Sequence, residues 1–99
     1  MPHKPMWSRA LPNPIPQQIP KELVGTEQGA VLLELIRVAD QIRAGVPVNP
    51  VPSTNDPFLF DVSEVLRQLI EGNTPNPLPS NLPNDPFYVD FVNAIETLR

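Results

Sequence analysis

Apolar and polar residues follow the same pattern in three segments of the chain, residues 31–43, 58–70 and 87–99. Each segment starts with three apolar residues and one acid, and then continues with apolar residues at helical spacing. The second segment lies 27 residues after the first, and the third lies 29 residues after the second. The pattern therefore predicts an internal repeat of three short amphipathic helices.

Capping residues indicate where each helix begins and ends. Thr26, Asp56 and Asp85 are residue types that favour the N-cap, and proline follows the two aspartates at the first helical position. Gly45 and Gly72 are placed where glycine commonly ends a helix. These signals predict helices near residues 27–44, 57–71 and 86–98.

One apolar residue in each unit lies on the polar side of its predicted helix. On a helical wheel most other apolar residues of the first unit fall within an arc of about 160°. Leu33, Phe60 and Val89 lie outside such a face, at equivalent positions of the repeat. A single exposed apolar residue needs no explanation, but three at equivalent positions indicate a second contact surface. We interpret them as partner-binding residues; inheritance from an ancestral repeat without present use is the alternative.

Proline-rich linkers join the predicted helices, over residues 45–56 and 72–85. Both exceed the roughly 2–8 residues that usually join neighbouring antiparallel helices. In polyproline II, at about 3.1 Å per residue, either linker could reach roughly 35–40 Å, whereas each repeated helical segment is only about 20 Å long. The linkers can therefore run back along a helix and leave all three helices parallel, or they can place the helices on separate sites of a larger surface. Each contains an Asn-Pro-x-Pro motif, starting at Asn49 and Asn76, and a looser copy starts at Asn13.

The N-terminal arm, residues 1–25, is also rich in proline. Proline removes backbone donors and excludes the preceding residue from helical conformation, so we expect an extended arm with polyproline II character. Trp7 is the only tryptophan, and two interpretations of it stay open: it anchors the arm to a partner, or it packs on the chain's own helices. The predicted partner-binding residues of the arm are Trp7, Pro12, Pro14 and Pro16. The sequence thus predicts an all-α protein with extended segments, divided into the arm and a three-repeat helical region over residues 26–99.

Composition limits how stable the isolated chain can be. It contains fifteen prolines among 99 residues, about three times ordinary usage, and it has no cysteine. Little apolar area is left for a core of its own, so we expect a protein partner or self-association into a homo-oligomer. No apolar run approaches the roughly 20 residues that cross a bilayer, and the N-terminus lacks the apolar segment of a signal peptide. We therefore expect a soluble, non-secreted protein with no membrane partner.

Charge is distributed unevenly along the chain, whose formal net charge is −4. Lys4, Arg9 and Lys21 precede every acid, and all eleven acids lie from Glu22 onward. Three widely spaced cations do not support nucleic-acid binding. A nucleic-acid partner is therefore not expected.

The sequence offers little support for catalysis or cofactor binding. The one histidine, His3, has no cysteine or carboxylate cluster near it in sequence. Asp61 and Glu64 form the best carboxylate pair, but they share a polar helix face with Arg67, as solvated residues commonly do. The four glycines form no phosphate-binding loop. We expect a protein that is not an enzyme, with no cofactor and no metal site.

The segments 56–58 and 85–87 resemble the Asp-Pro-Phe tripeptides of endocytic accessory proteins. The resemblance implies binding to clathrin-adaptor appendage domains. It covers three residues at each place, and helix capping by Asp56 and Asp85 accounts for the same residues. We therefore favour the capping interpretation.

Two classes of function fit the predicted architecture. The first is a structural accessory protein of a large symmetric assembly, most concretely a virion cement or minor capsid protein, which would be virion-associated. Extended arms and repeated contact units suit the quasi-equivalent sites of a lattice. The second is a small intracellular adaptor or regulatory protein that binds a soluble partner, and the acidic helical region suits it equally.

Overall fold

The computed structural model describes residues 15–98 and shows an all-α chain. A short 3-10 helix, Lys21–Leu23, precedes three α-helices: α1, Glu27–Ala44; α2, Pro57–Glu71; and α3, Pro86–Glu96. No strand occurs in this part of the chain. The predicted helix boundaries are confirmed for α1 and α2, and α3 ends two residues before the predicted end, in a turn.

Side-chain caps begin the three α-helices. The Thr26 hydroxyl oxygen accepts the N–H of Gly29 at 3.0 Å, and a carboxylate oxygen of Asp56 accepts the N–H of Leu59 at 3.0 Å. Asp85 caps α3 by accepting the N–H of Phe87 at 2.9 Å. Each cap satisfies a backbone donor that has no partner within its own helix.

Glycine ends the first two helices in the same way. Gly45 and Gly72 have φ values of 71° and 77°, in the left-handed region that glycine adopts without steric cost. Just after each glycine, an amide N–H reaches back five residues to a helix carbonyl, from Val46 to Gln41 at 3.2 Å and from Asn73 to Gln68 at 2.9 Å. These are the bonds of a Schellman motif, which stops the helix at a defined residue.

The first linker runs back along α1. At its beginning, the N–H of Asn49 donates to the side-chain oxygen of Gln41 at 2.8 Å, near the C-terminal end of α1. At its end, Gln28 in the first turn of α1 donates to the carboxylate of Asp56 at 3.2 Å. The linker therefore returns the chain over most of the length of α1, about 27 Å for its 18 residues. As a result, α1 and α2 start side by side.

The second linker follows the same course along α2. The N–H of Asn76 donates to the side-chain oxygen of Gln68 at 2.7 Å, near the end of α2. At the start of α3, the ring of Tyr88 packs edge-to-face on Phe58 of α2, with ring centroids 5.2 Å apart. All three helices therefore start at one end of the molecule, which is one of the two arrangements that the linker lengths allow.

Residues 15–25, the described end of the arm, pack along α1 in the opposite direction to the helix. Gln17 donates to the carboxylate of Asp40 at 2.9 Å, and Leu23 lies against Gly29 in the first turn. Ile15 is only 4% exposed. The boundary of the arm at residue 25 stays a prediction.

A single apolar core joins this segment and the three helices. It contains most residues of the predicted helix faces, although Ile70 of the predicted α2 face is 43% exposed. α3 adds a stacked pair of rings, Phe87 and Phe91, with centroids 5.4 Å apart. The one buried polar side chain in the described chain, Ser63, donates to the carbonyl of Phe60 at 2.7 Å. The buried apolar residues are Ile15, Leu32, Leu35, Ile36, Val38, Ala39, Leu59, Val62, Val65, Leu66, Phe87, Tyr88, Phe91, Ala94 and Ile95.

Candidate functional site

The three apolar residues that lie outside the helix faces in sequence also lie outside the core in the structure. Leu33, Phe60 and Val89 expose 45%, 50% and 49% of their surface, and we call them the outward residues. In each helix the residue just before the outward one is buried in the core. One step along a helix rotates the side chain by about 100°, so the next residue faces away. Their exposure is confirmed, and their role in partner binding stays a prediction.

Each outward residue is followed by an acid. Asp61 and Asp90 are exposed, and Glu34 is partly exposed and lies 3.7 Å from the guanidinium of Arg37. An exposed ion pair such as that of Glu34 and Arg37 contributes little to stability. A binding partner could therefore pair with these carboxylates without destabilising the fold much. The acid position is visible in the repeat, but sequence reasoning did not assign it to the contact surface.

Neighbouring positions do not share this chemistry. One helical turn after the outward residue, α1 has Arg37, α2 has Glu64 and α3 has Asn93. The feature common to the three units is therefore an exposed apolar side chain with a carboxylate beside it. A complementary surface would offer an apolar pocket with a lysine or arginine at its edge.

An open apolar groove, which sequence reasoning missed, lies beside Leu33. It has a volume of about 660 Å³ and is lined by residues of the segment 17–26 and of the first two turns of α1. Val24, in its wall, is 67% exposed, and Lys21 is the one charged residue among the described residues that line it. The groove has no local sequence signal because its two walls come from different segments.

Gly29 sets how closely the groove walls approach each other. A Cβ atom at this position would lie 1.9 Å from the carbonyl oxygen of Leu23 and 3.0 Å from a side-chain carbon of Ile19. The absence of a side chain therefore allows the arm segment to pack directly on the first turn of α1. A glycine inside a helix normally weakens it, and here the close approach explains the residue.

A buried tyrosine, Tyr88, lies at the end of the molecule where the three helices start. Tyr88 lies beside Phe58, Gln28 and Asp56 around a small cavity. Burial raises the pKa of the Tyr88 hydroxyl, and the negative charges of Asp85, Asp56 and Glu22 raise it further. The surroundings of Tyr88 therefore favour the neutral phenol over the phenolate.

No metal-binding cluster of histidine, cysteine, aspartate or glutamate occurs within residues 15–98. His3 lies outside the described residues. The carboxylate of Glu64 pairs with the guanidinium of Arg67, three residues later on a partly exposed face. That pairing is typical of a solvated helix surface.

The fold uses the residues of the two Asp-Pro-Phe tripeptides. Asp56 and Asp85 act as N-caps, Phe87 is 9% exposed, and Phe58 packs on Tyr88. Because the aromatic rings contact the core, binding an appendage domain through them would require local unfolding. The capping interpretation accounts for both segments.

Most of the predicted arm site falls outside the described part of the chain. Trp7, Pro12 and Pro14 precede residue 15, and Pro16 is partly buried next to Ile15. Pro16 is thus the one member of the predicted arm site within the part of the chain that the structure describes. Among residues 15–98, every helix is too short or too polar to cross a membrane.

Comparison with known proteins does not place the chain in a family or assign a role to this surface. No protein-family model, curated protein or solved structure matches the chain.

Proposed function

We propose that this protein is a non-enzymatic structural protein that binds a large repeating protein assembly, with a virion cement or minor capsid protein as the concrete form. The observation that carries the proposal is the repeated surface pair: an outward apolar residue and the acid after it, on each of three helices. Leu33, Phe60 and Val89 are exposed to nearly the same extent. Each would contact a neighbouring subunit through an apolar pocket with a cation at its edge.

A repeating partner fits because each contact alone is weak. Full burial of one such side chain contributes roughly 1.5–3 kcal/mol, too little to hold two proteins together. The shared core holds the three helices in a common body, so engagement of one contact raises the effective concentration of the others. An assembly of many identical subunits presents the same pocket many times, so that each of the three similar contacts can occupy one.

The arm supplies a second kind of contact in this proposal. Trp7 would fill a pocket on the assembly, and the polyproline backbone near Pro12, Pro14 and Pro16 would lose little entropy on docking. Ile15 is buried in the core. Trp7 is eight residue-to-residue steps away, so it can reach at most about 26–29 Å from Ile15, at about 3.3–3.6 Å for each step. The arm would therefore bind the subunit that the helices contact or one next to it.

Sedimentation of the protein with extract from its natural source tests the proposal. We expect the tagged chain to sediment with particles of megadalton size, and the triple variant Leu33→Ser, Phe60→Ser, Val89→Ser to remain near the top of the gradient. A matched control changes Val46 and Ile70 to serine, because these residues are also apolar and are 47% and 43% exposed. The control should sediment as the unchanged chain does.

Two outcomes would contradict the proposal. Equal loss of particle binding in the triple variant and in the control would show that the equivalent positions have no special role. Binding of the unchanged chain to a small soluble partner, with no particle fraction, would instead support the adaptor interpretation.

A further inference from the structure

The groove beside Leu33 and the outward residue of α2 have complementary chemistry. We propose that the groove binds Phe60 and Asp61 of a second copy of this chain. The inference deepens the proposed function by naming one of the neighbours in the assembly. It is tested on purified protein, so that it can fail while binding to the assembly persists.

The apolar part of the match is between a groove and a projecting ring. Ile19, Val24, Ala30 and Leu33 are among the residues that line the groove. Phe60 is half exposed and is the largest of the three outward side chains. A groove of about 660 Å³ admits a phenyl ring together with atoms of the helix that bears it.

The charged part of the match is between Lys21 and Asp61. Within residues 15–98, Lys21 is the one charged residue that lines the groove, although the chain as a whole has a formal net charge of −4. Asp61 directly follows Phe60 and is exposed. With the ring in the groove, the carboxylate beside it meets a cation at the groove edge, which favours this orientation over others.

Charge also distinguishes the second copy from the chain's own N-terminus. Residues 1–14 contain Lys4 and Arg9 and no acid, so they have the same sign as Lys21. The pair Val89–Asp90 has the required sign but a smaller apolar side chain than Phe60, so it would bury less apolar area. The Phe60–Asp61 pair therefore satisfies both requirements best.

The proposed contact is heterologous. Neither Phe60 nor Asp61 lines the groove of its own chain, so each copy offers a groove to one neighbour and a ring to another. Such contacts generate rings or open filaments. The proposed contact consists of one ring and one ion pair, so we expect weak association of the purified chain, which an assembly that holds copies side by side would strengthen.

Charge exchange between two variants tests the contact directly. Sedimentation velocity of the unchanged chain should show self-association that rises with concentration up to about 1 mM. Lys21→Glu and Asp61→Lys should each weaken this self-association at least tenfold. In either variant, position 21 in the groove and position 61 beside the ring carry charges of the same sign. A mixture of the two variants should associate again, since each groove then meets a partner of opposite charge. Ile70→Ser is the matched control and should self-associate as the unchanged chain does.

Three outcomes would overturn the inference. One is a chain that stays monomeric at every concentration, and another is a mixture of the variants that fails to recover association. The third is association that appears only after deletion of residues 2–12, which would show that the chain's own N-terminus occupies the groove. Circular dichroism of each variant verifies that the helices are retained.

Discussion

The side-chain oxygen of Gln68 accepts the backbone N–H of Asn76 at 2.7 Å, and one repeat earlier Gln41 makes the same bond to Asn49 at 2.8 Å. Each bond ties the start of an Asn-Pro-x-Pro segment to the helix that precedes it. The repeat is therefore one of tertiary structure, and it includes the linkers as well as the helices. In the third unit Thr97 occupies the equivalent position and donates to the carbonyl of Ala94.

We predict that Gln41→Ala lowers the free energy of unfolding by about 1 kcal/mol, because it leaves the N–H of Asn49 without its acceptor. Gln68→Ala should have a smaller effect, since its bond to Asn76 is exposed and water can replace the lost oxygen. Chemical denaturation measures both differences, and amide hydrogen exchange should become faster at Asn49 and Asn76 respectively.

The control for this pair is Gln41→Glu, which keeps a side-chain oxygen as acceptor. It should protect the amide of Asn49 nearly as well as glutamine does. Equal destabilisation by the glutamate and alanine variants would show that the hydrogen bond is not the source of the effect.

Burial differs among the three equivalent apolar residues of the Asn-Pro-x-Pro segments, which are Ile15, Val51 and Leu78. Ile15 is 4% exposed, whereas the other two are only partly buried against the core. We predict that Ile15→Ala costs about 2–5 kcal/mol of stability, the usual range for a buried aliphatic side chain, and that Leu78→Ala costs less. Thermal unfolding followed by circular dichroism ranks the two variants, and the reverse order would contradict the packing of the arm on the core.

Gly29→Ala should destabilise the protein although alanine favours helix. The new Cβ atom would lie 1.9 Å from the carbonyl oxygen of Leu23, a backbone atom that can move only with its turn. Overpacking of this kind costs about 1–3 kcal/mol, against about 1 kcal/mol that helix propensity returns. The measurement is the denaturation midpoint together with the exchange rates of the first turn of α1.

Ala30→Gly is the matched control for that change, because Ala30 is exposed at the next position of the same helix. It should destabilise by about 1 kcal/mol through propensity alone. A Gly29→Ala variant that is more stable than the unchanged chain would show that the arm segment does not pack against α1 as described.

The raised pKa of Tyr88 predicts a loss of stability at high pH. Burial, with Asp85, Asp56 and Glu22 nearby, makes the folded state hold the phenolic proton more tightly than the unfolded chain does. This contribution is complete below about pH 10, the ordinary tyrosine value, and is lost as the pH rises through the higher pKa of the folded state. Because Tyr88 is the only tyrosine, tyrosinate absorbance follows this single group.

Tyr88→Phe keeps the aromatic packing and removes the titrating hydroxyl. Its free energy of unfolding should therefore fall less steeply above about pH 10 than that of the unchanged chain. Identical alkaline profiles for the two proteins would show that Tyr88 does not link pH to folding.

The features that the sequence determined by itself are local ones. Capping by Asp56 and Asp85, termination at Gly45 and Gly72, and apolar spacing within each helix all act over a few residues, so their chemistry is visible in the chain. The exposure of Phe60 follows from the same spacing, because helical geometry turns it away from the face that its neighbours form.

Tertiary structure alone decided how the units are placed. The linkers were long enough for two arrangements, and contacts between distant residues, such as Gln28 with Asp56, selected the one in which the helices start together. In the sequence, Gly29 is only a residue with low helix propensity. The close approach of Leu23, which requires glycine there, is visible only in the tertiary structure. The groove beside Leu33 exists because the segment 17–26 packs on α1. The stability of that packing depends on the whole core and not on any local sequence pattern.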